Sequence, residues 1–416
     1  AQGPVSTSAE RYLLIYMIGV LIVVCSLVII FFIVLLFASQ SIADAMMYSE
    51  HPEFIVLLGA IVCVDAIAAL PMAKLRSENK ALRFSTIHFT AIAVNVGLNL
   101  FLMLVVFNPE KPMEGVLFIL LANLLASCVK LVGTYKDFLN LKWKYNKELA
   151  LEMLRYSFPL IIAGFAGIVN ETLDRIMMKP LLIQAGNTPE YSLEQVGIYS
   201  ACYKLAMIVA IFLQAYRYAA EPFFFAQSKN EDRNKVYIKI MNYFVAAVCL
   251  VFIGVSLNID IFKYFIRSEE YWSGLYVVPI LLLANVFLGI YYNQSIWYKL
   301  SGQTKFGAYI SIVGAVVTLV LNILFIKEYS YKASAVATLV AYSIMMILSY
   351  YYGRKYYPIP YNLKKIGLYL ILSIGFSLLS FYKFREEYII GIPLLIVFLT
   401  IIFISEKNQL KQLLKK

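Results

Sequence analysis

Residues 153–183, MLRYSFPLIIAGFAGIVNETLDRIMMKPLLI, form one long apolar run that nevertheless carries Asn170, Glu171, Asp174, Arg175 and Lys179. As a helix the run would extend about 46 Å at 1.5 Å per residue, longer than a hydrocarbon slab of about 30 Å, so it must tilt, bend or protrude. Pro159 and Pro180 offer kinks near its two ends. Ala163 and Gly167, four apart, would let another helix approach closely. Glu171, Arg175 and Lys179 recur at i, i+4 and i+8 and so share one face, with Asn170 and Asp174 on a neighbouring stripe. Each charge near the bilayer centre costs roughly 2.5 to 3.5 kcal/mol, so four of them facing lipid would cost on the order of 10 kcal/mol. They must face protein or a water-filled cavity. Two readings stay open: a buried ion-pair cluster, Glu171 with Arg175 and Asp174 with a neighbour, that only fixes packing, or a cavity lining with spare positive charge for an anionic substrate.

The rest of the chain explains why such a stretch is exceptional. Of 416 residues 61% are hydrophobic and only 15% are charged, against about 45 to 50% and about 25% in soluble domains. Mean hydropathy is +0.75. These values specify an integral membrane protein. Tyrosines cluster at the ends of apolar runs, as in SYYYGRKYYPIPY, where amphipathic rings sit at headgroup depth. The five cysteines fall within apolar runs without metal spacing, and His51 and His88 have no partner pattern. Neither a metal nor another cofactor is expected.

Runs of about 20 apolar residues are long enough to cross a bilayer. They fall at roughly 11–37, 54–72, 84–107, 115–135, 153–183, 196–216, 236–257, 274–298, 306–326, 333–352, 364–381 and 388–404, which predicts twelve crossing helices. The net charge of +11 would suggest nucleic acid in a soluble protein; here its distribution matters more. Alternate connections hold 25 Lys and Arg on one side, in groups such as Lys74/Arg76/Lys80/Arg83 and Lys130/Lys136/Lys142/Lys144/Lys147, against 7 on the other; with Arg155, Arg175, Lys179 and Lys204 left inside spans, all 36 are accounted for. The bias recurs loop by loop and predicts both ends on the cytoplasmic side.

No connection is long enough to fold as a soluble domain. The chain lacks a Ser/His/Asp set, a paired-carboxylate motif, a Gly-rich phosphate loop and a nucleotide-binding signature. Translocation therefore fits better than catalysis. Other polar residues join the first set. Lys204 lies early in the sixth span with Tyr199 and Tyr203, as a cavity cation or a snorkelling interfacial lysine. Gln214 follows, and Arg217 with Glu221, four apart, reads as a local pair. Asp65, alone in the second span, either pairs with a cation elsewhere or titrates at a coupling site. Asn95, Asn99, Asn123, Asn285, Asn293 and Gln294 read as interhelical hydrogen-bonding groups.

At these residues a resemblance enters. LRYSFPLIIAGFAGIVNETLDRIMM, followed by VGIYSACYKLAMIVAIFLQAYRYAAEPFFF, resembles the central region of bacterial polysaccharide exporters of the Wzx type, the O-antigen and capsule repeat-unit flippases. These belong with MATE drug exporters in the multidrug/oligosaccharidyl-lipid/polysaccharide exporter superfamily. The shared features are a Pro-containing span ending in an Asp-Arg pair (Asp174, Arg175), a Gly-Ile-Tyr turn (Gly197 to Tyr199), a Tyr-Lys pair (Tyr203, Lys204) and a Pro at the next helix end (Pro222). DAIAALPMAKLR, with Asp65, Pro71, Leu75 and Arg76, is similar to the exit of an earlier span.

The resemblance implies an all-α, two-lobed, MATE-like bundle around a central cavity. Residues 1–150 would be four remaining helices of the N-terminal lobe, 151–352 the six-helix C-terminal lobe, and 353–416 two extra helices with a basic tail. Two N-terminal helices of a fourteen-helix protein would then precede this chain. The implied activity is translocation of an undecaprenyl-diphosphate-linked oligosaccharide across the bacterial inner membrane by alternating access. Arg175, Lys179 and Lys204 would be the substrate-binding cations. Asp65, Asn170, Glu171, Asp174, Tyr203 and Gln214 would be polar cavity or ion-coupling groups. Expected partners are the lipid-linked oligosaccharide, membrane lipids, a polysaccharide polymerase and a chain-length regulator, without nucleic acid. A MATE-like exporter of cationic drugs predicts a net acidic cavity, and a membrane-bound polymerase or acyltransferase predicts a large outside loop or catalytic histidines.

Overall fold

The computed structural model describes residues 4–45, 49–78, 80–108, 110–139, 147–228, 230–266, 268–385 and 388–413. Within these residues all regular structure is helical: α1 (Pro4–Ala45), α2 (Pro52–Ser77), α3 (Ala81–Phe101), α4 (Pro112–Gly133), α5 (Tyr135–Leu139), α6 (Lys147–Gln184), α7 (Pro189–Gln227), α8 (Arg233–Ser256), α9 (Ile259–Phe262), α10 (Val278–Gln294), α11 (Ile296–Leu300), α12 (Lys305–Tyr329), α13 (Tyr331–Tyr356), α14 (Leu363–Lys383) and α15 (Tyr388–Leu413). Eleven described helices are long and apolar enough to cross a membrane, and the apolar part of α15, Ile390–Glu406, is shorter. The chain is a multi-pass membrane protein, and twelve was an approximate count.

Large apolar side chains point outward along the spans, among them Phe37, Leu82, Leu104, Phe165 and Ile371. In water such a surface would aggregate; in hydrocarbon it matches its solvent.

Two expected spans come out longer than their apolar cores. Helix α7 starts at Pro189, inside a segment whose polar residues read as a connection. Thr188 caps it, its hydroxyl accepting the Tyr191 N–H at 3.2 Å, and Pro189 supplies the fixed φ suited to a first helical position. The helix then runs through Pro222 to Gln227. Helix α6 likewise begins at Lys147 and continues through Pro159 and Pro180 to Gln184. By contrast, the expected helix over 274–298 is divided into a 3-10 segment Glu269–Val277, α10 and α11. Lys74, Arg76 and Lys130, assigned to connections by the charge count, lie inside α2 and α4. Lys142, Lys144, Lys229, Arg267, Lys415 and Lys416 lie outside the described residues.

The chain divides into two compact units, Ala1–Arg155 and Tyr156–Lys416, with the boundary inside α6. In the first unit α1 packs on α2, and α2 and α3 pack on α4. Gly59 makes the α1 contact possible, since a Cβ there would meet Leu35 Cδ2 at 1.9 Å. Buried Met72, Leu75 and Ile87 form the local core.

In the second unit a continuous core joins α7, α8, α10 and α14, with Tyr199, Cys202, Val209, Phe252, Leu282 and Tyr369 fully buried or nearly so. Helix α14 packs on α8, where the Ser256 and Ser377 hydroxyls hydrogen-bond. Helices α10 and α12 both pack on α13. The turn between α12 and α13 is the single residue Ser330, at φ 51°. A non-glycine residue in so sparsely populated a region costs on the order of 1 to 3 kcal/mol, which the hydrogen bond from Ser330 Oγ to Gln195 Oε1 at 3.0 Å helps offset.

Helix α6 is tied to its unit at separate points. Near its start the Tyr156 hydroxyl donates to the Lys299 carbonyl at 3.2 Å, and the Thr304 hydroxyl donates to the Tyr156 carbonyl at 2.9 Å. Farther on, Met178 and Leu182 enter the core. Between them, the close approach expected at Gly167 is not made: a Cβ at Gly164 or Gly167 would have no described atom within 4 Å.

Candidate functional site

The charged stretch of α6 separates into two rows because residues four apart lie one above the other on a helix. Asn170, Asp174 and Met178 form the inner row and are each at most 1% exposed. Glu171, Arg175 and Lys179 form the adjoining row; Arg175 is half-buried and the other two are exposed.

The inner row is held by neighbours rather than by counter-charges. Asp174 accepts hydrogen bonds from the Tyr199 hydroxyl and, at 2.8 Å, from the Arg175 backbone N–H. Asn170 Oδ1 accepts from the Thr318 hydroxyl at 2.8 Å, and its amide lies 3.7 Å from Met345 Sδ. Gly314 leaves room for this arrangement: a Cβ there would stand 2.4 Å from Met345 Sδ and 2.9 Å from the Asn170 amide nitrogen. One turn along α12, Asn322 Oδ1 accepts from the Ser334 hydroxyl at 2.9 Å, while the Asn322 amide nitrogen is buried without a partner. Thr318, Asn322, Ser334 and Thr338 are all essentially inaccessible. The sequence reading passed over these four; their signal was two i, i+4 polar pairs in consecutive spans.

Arg175 is placed differently. Its guanidinium carbon lies 4.0 Å from the Tyr203 ring centroid and 5.9 Å from that of Tyr199. Among the described residues no carboxylate oxygen comes within 4.0 Å of it, and its Nε is buried without a hydrogen-bond partner. The expected Glu171–Arg175 ion pair is therefore absent. Cation–π contact orients the guanidinium without neutralising it, because a ring quadrupole carries no net charge.

Lys204 and Gln214 belong to one exposed row along α7, with Met207, Ile211 and Tyr218. Tyr203, next to Lys204, turns inward and is 6% exposed. Toward the end of α7, Arg217 lies over the Tyr292 ring at 4.3 Å. The expected Arg217–Glu221 pair is secondary: Glu221 Oε1 is 2.6 Å from Lys299 Nζ and 3.8 Å from Arg217 Nε. Lys299 of α11 makes the shorter contact while the Arg217 guanidinium is engaged over the Tyr292 ring.

Asp65 lies in the other unit. Its carboxylate meets Lys130 Nζ of α4 at 3.0 Å, with the two side chains 43% and 26% exposed. The pairing open to it in the sequence is thus made, and with a residue the charge count had put in a connection. Nearby, the Asn95 amide donates to Asn123 of α4 at 2.8 Å, as expected of an interhelical polar group, whereas the Asn99 amide donates to Asn95 at 3.0 Å within α3 itself.

Comparison with known proteins gives the family and the fold. The polysaccharide biosynthesis protein family matches residues 6–228, more than half of the chain. A probable low-salt glycan biosynthesis flippase of Haloferax volcanii is 20% identical over 325 residues, covering 77% of this chain and 66% of the relative. The chain thus spans just under two thirds of that relative's length. Among solved structures, an outward-facing MATE multidrug transporter has a TM-score of 0.65 at 14% identity, covering 85% of this chain and 78% of its own. A Pyrococcus furiosus transporter of the same superfamily, described as having a binding pocket of reversed polarity, has a TM-score of 0.65 at 15% identity over 82% and 78%. A Vibrio cholerae MATE transporter has a TM-score of 0.62 at 13% identity over 82% and 78%. At these identities the likeness establishes the MATE-like fold.

Proposed function

The chain belongs to the polysaccharide biosynthesis protein family, and from that premise we propose that it translocates an oligosaccharide linked to undecaprenyl diphosphate across the bacterial cytoplasmic membrane by alternating access. The observation that carries the reading is Arg175: a guanidinium in a membrane-spanning helix, gripped by Tyr203 and Tyr199 and left without a carboxylate among the described residues. A guanidinium that makes no direct ion pair within a span keeps donors for an anion, and it matches phosphate oxygens in a forked geometry. Lys179, one turn further along the same face, and Lys204 on the exposed row of α7 would meet the same diphosphate. Glu171, Gln214 and Tyr203 would line the hydrated path for the sugar.

The buried Asn170–Asp174 row and the Asp65–Lys130 pair are the coupling candidates, since each joins a carboxylate to neighbours that would rearrange on a change of its charge. Both ends of the chain would be cytoplasmic, and the natural partners would be the enzymes that polymerise the exported units and set their chain length.

The test is translocation of a labelled polyprenyl-diphosphate oligosaccharide in liposomes containing the protein, with and without proton or sodium gradients. Transport of the labelled glycolipid is expected. Transport of a small cationic dye in its place would favour the drug exporter that the fold alone also permits.

A further inference from the structure

Between α12 and α13 the second unit carries a furrow of about 340 Å³, lined by Leu321, Phe325 and Tyr329 on one side and by Lys332, Val336 and Val340 on the other. Its floor is Ala333 and Ala337, whose side chains are too short to fill the space between the two helices. The lining is apolar along its whole length except at one end, where Lys332 and the half-exposed Tyr329 flank the mouth.

That end is fixed by the fold. Ser330 reverses the chain in one residue and is held to Gln195, and the Lys332 ammonium stands 5.1 Å from the Tyr276 ring centroid. The first N–H groups of α13 also face that end, adding the positive pole of a long helix. From Lys332 to Val340 the helix rises about 12 Å at 1.5 Å per residue. One leaflet of a hydrocarbon slab is about 15 Å deep, half of about 30 Å. A cationic, Tyr-flanked mouth above an apolar channel of nearly one leaflet's depth has the charge and length of an anionic lipid.

We propose that this furrow holds one hydrocarbon chain of an anionic membrane phospholipid, with the phosphate at Lys332. The position on α13 favours a resident lipid over the transported one. Val336 and Val340 stand about 200° and 240° around the helix from Ser334, at 100° per residue, while Thr338 lies only about 40° from it. The furrow therefore opens on the side of α13 away from the row that faces Asn170 and Asp174. A lipid seated there stiffens the α12–α13 hairpin from outside without entering the polar site, and the proposal stands whether or not the chain moves a glycan.

The experiment is native mass spectrometry of the whole protein released from mixed phosphatidylglycerol and phosphatidylcholine. Wild type should retain one phosphatidylglycerol more tightly than phosphatidylcholine. Lys332→Gln should erase that preference while still retaining lipid. Val336→Trp, which fills the furrow from its exposed wall without touching the core, should release the retained lipid altogether. Equal retention of the two lipids by wild type, or a preference surviving Lys332→Gln, overturns the proposal. Displacement of the retained phosphatidylglycerol by undecaprenyl diphosphate also overturns it, by making the furrow a seat for the transported lipid's own tail.

Discussion

Arg175 and Tyr203 face each other at 4.0 Å, a guanidinium of α6 over a phenol ring of α7. A contact of this kind is worth roughly 0.5 to 2 kcal/mol, the more the drier its surroundings. It holds the cation in place while leaving its donors to another ligand. Arg175→Ala should therefore lower glycolipid transport at least roughly tenfold at unchanged protein level, since charge-assisted hydrogen bonds contribute roughly 1.5 to 3 kcal/mol each. Arg175→Lys should recover part of it. Liposome transport assays on the two variants decide the matter, and full activity of the alanine variant would remove Arg175 from the site.

Tyr203→Phe keeps the ring and should transport nearly as wild type. Tyr203→Leu frees the guanidinium and should weaken transport less than loss of the arginine. Initial rates measured over a range of glycolipid concentrations would show the loss as poorer apparent affinity.

Gly314 sets the position of Asn170. Gly314→Ala would push a methyl group against Met345 Sδ and the Asn170 amide and should cost roughly 1 to 3 kcal/mol, the usual range for overpacking a core. Thr318→Val leaves Asn170 Oδ1 without its donor and should cost roughly 1 to 3 kcal/mol. Thermal unfolding in detergent would register each as a lowered midpoint. The two losses should fall short of additive in the double variant, because both act on Asn170.

Asp65 and Lys130 call for a double-mutant cycle. Asp65→Asn alone strands the Lys130 ammonium, and Lys130→Gln alone strands the carboxylate. Partial exposure of both side chains limits the coupling to roughly 1 kcal/mol. The double variant should regain the stability lost by either single one. If it regains stability while transport stays lost, Asp65 is doing more than holding α2 to α4. If transport returns with stability, the pair is structural.

Glu221 offers a direct comparison between two cations. Lys299→Met should destabilise the protein more than Arg217→Met, because the 2.6 Å contact is the shorter and joins two helices, α11 and α7, whereas Arg217 lies on the same helix as Glu221. Equal losses in thermal unfolding would mean that Glu221 shares its charge evenly between them.

Much of this was legible in the chain itself. The spans follow from runs of apolar residues, and the sharing of one face by Glu171, Arg175 and Lys179 follows from helical spacing alone. What could not be read are the partners. Tyr199 is 25 residues from the Asp174 it serves, Thr318 is 148 from Asn170, and Lys299 is 78 from Glu221. Periodicity fixes which side of a helix a residue takes and says nothing about what stands opposite. Helix ends escaped for a related reason: the hydropathy of α7 falls off before Pro189 on one side and Gln227 on the other, but backbone hydrogen bonding continues into water, where polar residues cost a helix little.

Tyr156 and Asn170 pin α6 at two places, and Gly164 and Gly167 lie between them with open space where a side chain would go. For an experimenter those two glycines are vacant berths. A cysteine at either one would place its Cβ with no described atom within 4 Å, which makes these two positions the attachment points for a fluorophore or spin label on the helix that bears Arg175.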